Sequence, residues 1–255
     1  MSVKSILKNI IPANLQPALL RAYLKSTSII YKGTKHECSC CNGKFRKFLT
    51  FDGYGTKREN ARCPKCGSLE RHRLLWLYMK NELNIFNKKI SLLHIAPEPG
   101  IQQLLQPLKN IDYLSADIAS PLAMIKMDIT DIQYPDNSFD AIICAHVLNH
   151  VDDDKKAMNE LYRVLKPNGW IIIQTPVDYN REKTFEDSNA KTSSERKKIF
   201  GQEDLARLYG KDFIERLRAA RFNVKLVHYA KTLGSEISER MGLIEGDEIF
   251  YCTKE

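Results

Sequence analysis

The chain has 255 residues, enough for one large and one small domain, and its apolar fraction of 43% is ordinary for a globular protein. No stretch approaches the roughly 18 apolar residues that a membrane span needs, and the N-terminus lacks the apolar core of a secretory signal, so we expect a cytoplasmic protein. The net charge of +8 is divided unevenly, because residues 1–90 hold 18 of the 39 Lys and Arg but only 5 of the 31 acidic residues. This basic part predicts an anionic partner, although a basic surface can also be merely solvated or dock on the rest of the protein.

The first predicted unit is an amphipathic helical segment over residues 1–34. Apolar and basic positions alternate on both sides of Pro12 and Pro17, and this pattern predicts two short helices. Such helices can lie on a membrane surface, so peripheral membrane contact through residues 1–30 is one prediction. Packing against the protein's own body is the alternative and the commoner arrangement.

Two pairs of cysteines follow within residues 35–68. Each pair has the spacing C-x2-C and 21 residues separate the pairs, which is typical of four thiolates that surround Zn2+ tetrahedrally. Gly43 and Gly67 lie beside the pairs, where they let the backbone turn its amides towards the sulfur atoms. A disulfide or a set of free thiols is the alternative, which a reducing compartment disfavours. We predict a zinc ribbon that holds a structural Zn2+, with Cys40 as a competing thiol and with the ligands Cys38, Cys41, Cys63 and Cys66.

Residues 69–89 are predicted to form a linking helix. The helix is expected to begin at Ser68, which is a favoured residue type for an N-cap, and its leucines give it a broad apolar side. We expect this helix to join the ribbon rigidly to the rest of the chain.

Strand and helix patterns alternate from residue 90 onward, which predicts an α/β domain over residues 90–255 with a parallel sheet covered on both faces. A polar stretch at residues 176–201 is too long for an ordinary connection and predicts a lid or a substrate segment. The predicted strands are 91–95, 113–117, 123–126, 140–144, 170–174, 224–228 and 248–252, and the predicted helices are 100–108, 152–165 and 202–220.

Two runs of sequence carry a resemblance to a known family. They are SFDAIICAHVLNHV, which begins at Ser138, and ELYRVLKPNGW, which begins at Glu160. Residues 90–255 resemble the class I S-adenosylmethionine-dependent methyltransferases, in particular the type 11 methyltransferases of ubiquinone and menaquinone biosynthesis. With the run CPKCGSLERHRLLWLY in front, the whole chain resembles a bacterial group of zinc-ribbon methyltransferases. The resemblance implies a Rossmann-like, seven-stranded, mostly parallel sheet whose last strand is antiparallel, with S-adenosyl-L-methionine at the carboxyl ends of the first four strands.

The resemblance also implies cofactor-binding residues. Asp117 ends the second strand, where a carboxylate can accept hydrogen bonds from both ribose hydroxyls of an adenosine. Asp128 and Ile129 match the family's adenine position, Asp128 accepting from the exocyclic amine and Ile129 packing on the ring. Either aspartate alone could be a helix cap or an exposed loop residue, and the two together at this spacing are interpreted as cofactor ligands.

The loop after the first strand departs from the family pattern. The family has an acidic residue followed by G-x-G-x-G, whereas this chain reads HIAPEPG from His94 to Gly100, so that His94 stands at the acid and only Gly100 matches. Ala96 and Glu98 replace glycines that let the backbone approach the cofactor, and two prolines remove amide donors. We interpret Glu98 as a compensating ligand for the methionine ammonium group of the cofactor. The alternative is a degraded site that binds nothing.

His146 and His150 follow the fourth strand, where the methyl acceptor is expected to lie. Methyl transfer is an in-line displacement, so most of its rate comes from holding the reactants collinear, and a general base helps when the acceptor is a hydroxyl. His146 is the first candidate for this base and is also a candidate cofactor contact. His150, four residues later, is the second candidate, and either histidine can instead cap or pack.

Two hypotheses of function remain. In the first, the chain is an S-adenosylmethionine-dependent methyltransferase whose basic ribbon recruits an anionic acceptor, such as RNA, a protein, or a phosphorylated lipid or glycan. RNA is favoured among these because certain ribosomal-RNA methyltransferases also have a zinc ribbon ahead of the catalytic domain. In the second, the chain is a zinc-ribbon binding module for RNA or another anionic partner, with a non-catalytic methyltransferase-like domain. The sequence specifies no oligomeric state.

Overall fold

The computed structural model describes residues 16–53 and 56–255. The first predicted amphipathic helix falls within residues 1–15, outside the described residues. None of the described helices has both the length and the apolar content to cross a membrane.

Helix α1 (Gln16–Ile30) matches the second predicted amphipathic helix. Near its C-terminal end Leu24 is buried, and Thr27 donates a hydrogen bond through Oγ1 to the carbonyl of Pro64 at 2.7 Å. This end of α1 therefore packs on the segment that carries the second pair of cysteines. Ile29 and Ile30 stay exposed, so membrane contact of the N-terminal segment remains a prediction.

The other elements follow α1 along the chain. They are β1 (Lys32–Glu37), β2 (Lys44–Phe45), β3 (Leu49–Gly53), β4 (Thr56–Arg62), α2 (Glu70–Asn81), β5 (Ile90–Ile95), α3 (Pro99–Leu105), β6 (Ile111–Asp117), β7 (Ile125–Lys126), β8 (Phe139–Ala145), α4 (Asp154–Val164), β9 (Leu165–Gln174), β10 (Phe185–Glu186), α5 (Ser193–Phe200), β11 (Arg207–Leu208), α6 (Phe213–Ala219), β12 (Asn223–Val227), α7 (Tyr229–Leu233), α8 (Ser235–Met241) and β13 (Ile249–Thr253).

A seven-stranded sheet with the order β12-β13-β9-β8-β5-β6-β7 forms the centre of the fold. Strand β13 runs antiparallel to both of its neighbours, and the strands from β9 to β7 are parallel to one another. Strands β8 and β9 carry nearly continuous apolar runs because both faces of a parallel sheet are covered. The strand order reverses between β5 and β8, which places a crevice at the carboxyl ends of these strands. The predicted Rossmann-like fold is confirmed.

The segment between α1 and α2 forms two small antiparallel hairpins, β1 with β2 and β3 with β4. Its core includes Phe45 and Phe48, which are buried. Arg73 of α2 is also fully buried, and its guanidinium carbon lies 4.4 Å from the centre of the Phe48 ring. The guanidinium donates hydrogen bonds to the main-chain carbonyls of Ala61, Ser68, Met241 and Gly242. One side chain thus joins the hairpins, the linking helix and the C-terminal part of the chain.

The predicted N-cap at Ser68 is wrong, and the linking helix is shorter than the predicted range. Leu69 occupies the N-cap position and α2 ends at Asn81. The Ser68 hydroxyl lies 3.2 Å from the sulfur atoms of both Cys38 and Cys66, so the cysteine cluster takes the hydroxyl that would otherwise cap the helix.

The predicted helix 202–220 is wrong over its first half, because α6 covers only Phe213–Ala219. Strand β11 instead pairs with β10. Beside this pair, an added Cβ at Gly210 would lie 2.7 Å from the main chain of Lys183, so the two segments approach closely enough to require glycine.

The predicted lid segment is anchored by one buried cation. Arg207 pairs with Glu186 at 2.7 Å and donates hydrogen bonds to the carbonyls of Leu148 and Asp152, each at 2.8 Å. These contacts fix the connection between β9 and α6 against the turn that follows β8. A role as a lid stays a prediction.

Candidate functional site

A cavity of about 450 Å³ opens at the carboxyl ends of β5, β6 and β8. This volume is within the range of small-molecule sites in proteins. Its walls come from the loops after these strands, as expected at the point where a parallel sheet reverses its strand order. The lining includes Ile95, Ala96, Asp117, Asp128, Ile129 and His146.

Two aspartates that line this cavity accept hydrogen bonds from the loops that follow them. Asp117 accepts hydrogen bonds through Oδ1 from the main-chain amides of Ala119 at 2.7 Å and Ser120 at 2.6 Å. Asp128 accepts through Oδ1 from the amide and the hydroxyl of Thr130. Within the described part of the chain, each carboxylate makes these bonds with Oδ1 alone. The second oxygen of each remains available to a ligand.

Ala96 shows how the atypical loop keeps its shape. Its φ is +47°, in the left-handed region where glycine is favoured, and its amide donates to the carbonyl of Ala116 at 2.8 Å. Alanine has the smallest side chain that can stand in for the glycine of the family pattern. The main chain of this loop therefore takes a glycine-like turn beside the cavity at an energetic cost of about 1 kcal/mol.

His146 joins the first cavity to two others. A second cavity of about 400 Å³ lies between α2 and the sheet, and a third of about 280 Å³ adjoins it through Arg71, Pro176 and Asp247. His146 lines all three. Its φ is +54° and its amide donates to the carbonyl of Gln174 at 2.7 Å, which turns the chain out of β8 at this point. A molecule in the second cavity would face a molecule in the first across this residue.

Burial and the nearby charge of Arg71 lower the pKa of His146 to about 3. The imidazole is therefore uncharged at neutral pH and is a weak base. His150 also lines the first and second cavities, and its Nδ1 lies 2.9 Å from the carbonyl oxygen of Asp204, to which it donates. The structure thus brings both predicted histidines together, although His150 is tied to the connection before β11.

The four predicted zinc ligands form one cluster. Their sulfur atoms all lie within 4.8 Å of one another, with Cys38 and Cys66 3.6 Å apart and Cys41 and Cys63 3.7 Å apart. Sulfur atoms at the corners of a tetrahedron around Zn2+ are separated by about 3.8 Å, so the cluster has the dimensions of a zinc site. Cys40 is not a member of this group of four, and its thiol donates to the carbonyl of His72 at 3.7 Å.

The comparison with protein families agrees with this geometry. Residues 102–173, which run from α3 to β9, match the family model described as a methyltransferase domain. The sheet order, the antiparallel β13 and the cavity beyond the strand ends are those that the resemblance implies. Residues 102–173 are thus part of a methyltransferase domain.

Relatives of the methyltransferase domain are similar over short segments. The ubiquinone/menaquinone biosynthesis C-methyltransferase UbiE of Pseudoalteromonas translucida is 38% identical over 64 residues, 25% of this chain and 21% of that protein. The demethylmenaquinone methyltransferase of Clavibacter sepedonicus is 43% identical over 49 residues, 19% of this chain and 20% of that protein. The chain thus spans about a fifth of the length of the curated relatives it matches. The structure of an S-adenosylmethionine-dependent methyltransferase from Mesorhizobium loti is 12% identical, with a TM-score of 0.46 over 71% of this chain and 98% of that chain.

The residues predicted to bind cofactor or to act in catalysis fall into two groups. Six residues line the first cavity together: Ala96, Asp117, Asp128, Ile129, His146 and His150. His94, Glu98 and Gly100 lie outside its lining.

Glu98 is held inside the protein by two histidines. His94 is fully buried, and its Nε2 donates to Glu98 Oε2 at 3.0 Å while its Nδ1 accepts from the Tyr113 hydroxyl at 2.9 Å. His72 of α2 approaches the other oxygen, Oε1, at 3.9 Å. To bind a cofactor ammonium group, the Glu98 carboxylate would have to be shared between that group and His94. This role of Glu98 stays a prediction.

The Glu98 contacts predict a pH-dependent stability. Burial alone would raise the pKa of Glu98, but the hydrogen bond from His94 and the electrostatic attraction of the His72 and His94 rings outweigh it and lower the pKa to about 2. A lowered carboxyl pKa stabilises the fold above the ordinary pKa near 4.5 and loses this contribution as the pH falls towards 2. We expect Glu98→Gln to lower the free energy of unfolding by about 3 kcal/mol at pH 7, measured by urea denaturation.

The matched control is Glu245→Gln, a change of an exposed loop residue, which should have little effect. The difference in the free energy of unfolding between the wild type and Glu98→Gln should be equal at pH 7 and pH 5.5 and smaller at pH 3.5. A difference that does not change down to pH 3.5 would contradict the assigned pKa.

Several polar groups around the second and third cavities were not predicted as site residues. They are Arg71, Asn149, Gln174, Thr175 and Asp247. Burial, together with the nearby charge of Glu70, raises the pKa of Asp247 to about 6. The signal in the sequence was weak, because Arg71 stands near the start of a helix, Asn149 lies in the turn after β8, and the others lie in or beside strands.

Proposed function

We propose that this protein is an S-adenosylmethionine-dependent methyltransferase that transfers a methyl group to an anionic acceptor, and that its four clustered cysteines hold a structural Zn2+. One observation carries the proposal. The cavity at the strand ends of the methyltransferase domain meets a second cavity at His146 and His150, so that cofactor and acceptor can face one another across these two side chains.

The residues of the first cavity have side chains suited to an adenosyl group. Asp117 has a free carboxylate oxygen for ribose hydroxyls, and Asp128 has one for an exocyclic amine next to the apolar Ile129. The cofactor supplies an electrophilic methyl group on a sulfonium. The chain supplies orientation, since holding nucleophile, methyl and sulfur collinear provides much of the rate of such a displacement.

His146 is proposed to orient the acceptor. An uncharged imidazole can accept a hydrogen bond from a hydroxyl or an amine without repelling a sulfonium cation nearby. Its pKa of about 3 makes it a poor proton acceptor in the ground state, so we assign it positioning and contact with the acceptor.

Zn2+ is proposed to have a structural role rather than a catalytic one. All four positions of the cluster are cysteines, which leaves no open coordination site for a substrate. The ribbon delivers Arg58 of β4 to the second cavity, and α2 delivers Glu70 and Arg71. The metal therefore supports one wall of the acceptor site from outside it.

Cofactor binding tests the proposal directly. Calorimetric titration with S-adenosylmethionine should give saturable binding to the wild type. Asp117→Asn should weaken this binding about 10- to 100-fold, because an amide nitrogen cannot accept from a ribose hydroxyl. The matched control is Asp112→Asn, an exposed residue on the same strand, which should bind like the wild type. The absence of heat and of a thermal shift at millimolar cofactor would sink the enzyme hypothesis and favour the binding module.

The acceptor can be sought with cofactor that carries a radiolabelled methyl group. The purified protein is incubated with fractionated cell extract, and label is followed into RNA, protein, lipid, glycan and small molecules. A protein that binds cofactor but transfers label to none of these fractions would contradict the proposed activity.

A further inference from the structure

Polar atoms without a protein partner converge on the second and third cavities. Within the described part of the chain, Arg71 Nε, Asn149 Oδ1, Gln174 Oε1 and Thr175 Oγ1 are buried and make no hydrogen bond. Asn149, Gln174 and Thr175 are only 6%, 3% and 7% exposed. A buried polar atom without a partner costs about 1–3 kcal/mol, so four of them around adjoining cavities indicate groups that a ligand satisfies.

Arg71 is the cation of this site. It lines both cavities, and the described residues place no carboxylate within 4.0 Å of it. Arg58, beside it in the second cavity, already donates to both oxygens of Glu70, at 2.9 and 3.3 Å. The guanidinium of Arg71 is therefore the one that can offer its planar pair of donors to a carboxylate or a phosphate.

The other partnerless groups specify the rest of the ligand. The free atoms of Asn149 and Gln174 are amide oxygens, which accept hydrogen bonds from hydroxyl or amine groups. Asp247 lines both cavities as well, and its carboxylate accepts from the same groups and repels a second anion. The site thus has a donor end at Arg71 and an acceptor end at the amides and Asp247.

Resting on the proposed methyltransferase function, we infer that the acceptor is a small molecule with two kinds of groups. It carries an oxyanion, a carboxylate or a phosphate, that binds Arg71, and hydroxyl or amine hydrogens that the amide oxygens of Asn149 and Gln174 accept. One of these hydroxyl or amine groups lies beside His146. Its oxygen or nitrogen would form a bond to the methyl carbon as the carbon–sulfur bond of the cofactor breaks, S-adenosylhomocysteine would leave, and the proton of the methylated group would pass to water in the open cavity. The volumes of about 400 and 280 Å³ suit a small molecule better than a folded macromolecule.

The oxyanion contact can be tested with two probes. In protein labelled with 15N-arginine, the Nε–H resonance of Arg71, identified by its loss in Arg71→Gln, is followed during titration. Glycerol 3-phosphate tests a phosphate with hydroxyls, L-serine tests a carboxylate with a hydroxyl and an amine, and glycerol serves as the uncharged comparison. We expect a saturable shift with at least one anionic probe and none with glycerol. The probe that produces the shift identifies the oxyanion.

Variants separate this site from the cofactor site. Arg71→Gln should weaken probe binding about 10- to 100-fold, followed by intrinsic fluorescence, and Arg71→Lys should be intermediate because it keeps the charge but loses the planar pair of donors. The control is Arg218→Gln, on an exposed face of α6. S-Adenosylmethionine should bind all variants like the wild type.

The outcomes are distinguishable. If the wild type binds S-adenosylmethionine but neither anionic probe shifts Arg71 Nε–H at 20 mM probe, the inference fails and the proposed function stands. If cofactor does not bind, the proposed function fails whatever the probes do. Binding of an RNA oligonucleotide that depends on Arg71, with both small probes inactive, would also overturn the small-molecule acceptor.

Discussion

Cys63→Ser is expected to remove Zn2+ from the protein and to unfold the ribbon. Cys63 is fully buried, and its sulfur lies 3.7 Å from that of Cys41 in the four-cysteine cluster. Structural Zn2+ in small ribbons contributes on the order of 10 kcal/mol to folding. The hairpins bury few large apolar side chains besides Phe45 and Phe48, too few to hold so small a unit without metal. We expect zinc content, measured by mass spectrometry, to fall from one per chain to near zero.

The matched control for this change is Cys40→Ser. Cys40 is buried in the same loop, but its thiol faces the carbonyl of His72 and lies outside the cluster. This variant should keep its zinc. Full zinc content in Cys63→Ser, or equal loss in both variants, would contradict the assignment of ligands.

A chelator should act in a defined order. Because α2 begins at the ribbon and carries Arg71, loss of metal should weaken binding of the anionic probes first. Cofactor binding should persist, since the first cavity is built from loops of the large sheet. Loss of cofactor binding before probe binding would overturn the view that the metal supports only the acceptor wall.

Arg73→Met is expected to destabilise the whole protein by about 3–5 kcal/mol. The guanidinium donates to four main-chain carbonyls, at distances from 2.5 to 3.0 Å, and methionine would leave all four without this donor. The carbonyls belong to three separate parts of the fold, so their loss cannot be repaired by a local shift. Removing one partner from a buried charged network typically has an effect of this size. The measurement is the free energy of unfolding from urea denaturation.

Arg71→Gln is the matched comparison, because Arg71 lies two residues away on the same helix. Its Nε has no protein partner among the described residues, so its replacement should change the free energy of unfolding by less than about 0.5 kcal/mol. Equal destabilisation by both substitutions would show that Arg73 has no special role.

The sequence predicted those parts of the molecule that depend on local patterns. The cysteine spacing anticipated the cluster, and apolar runs such as FDAIICA in β8 anticipated the strands, because each pattern is set by neighbours along the chain. Asp117 and Asp128 were placed at the carboxyl ends of strands, and both line the first cavity; their role as cofactor ligands stays a prediction. These predictions needed no knowledge of how distant segments pack.

Other features depended on distant segments and were missed or misassigned. Ser68 had the right residue type for an N-cap, but sulfur atoms from elsewhere in the chain took its hydroxyl. The first half of the predicted helix 202–220 instead contains β11, which pairs with β10. The contacts of Glu98 with His94 and with His72 of α2 were not anticipated, because they join segments that are distant along the chain, and its role towards the cofactor stays a prediction. The roles of Arg71 and Asp247 follow from a cavity that α2 forms with segments more than 70 residues away.

Under the proposed function, the position of α2 gives the ribbon a part in substrate choice. Arg58 from the second hairpin and Arg71 from the adjoining helix form one side of the second cavity, and loops of the sheet form the other. A swap of residues 32–81 between related proteins would therefore change which molecules are methylated while leaving the use of the cofactor intact. Among such related proteins, differences in substrate would therefore be accompanied by sequence differences in the metal-binding region as much as in the catalytic domain.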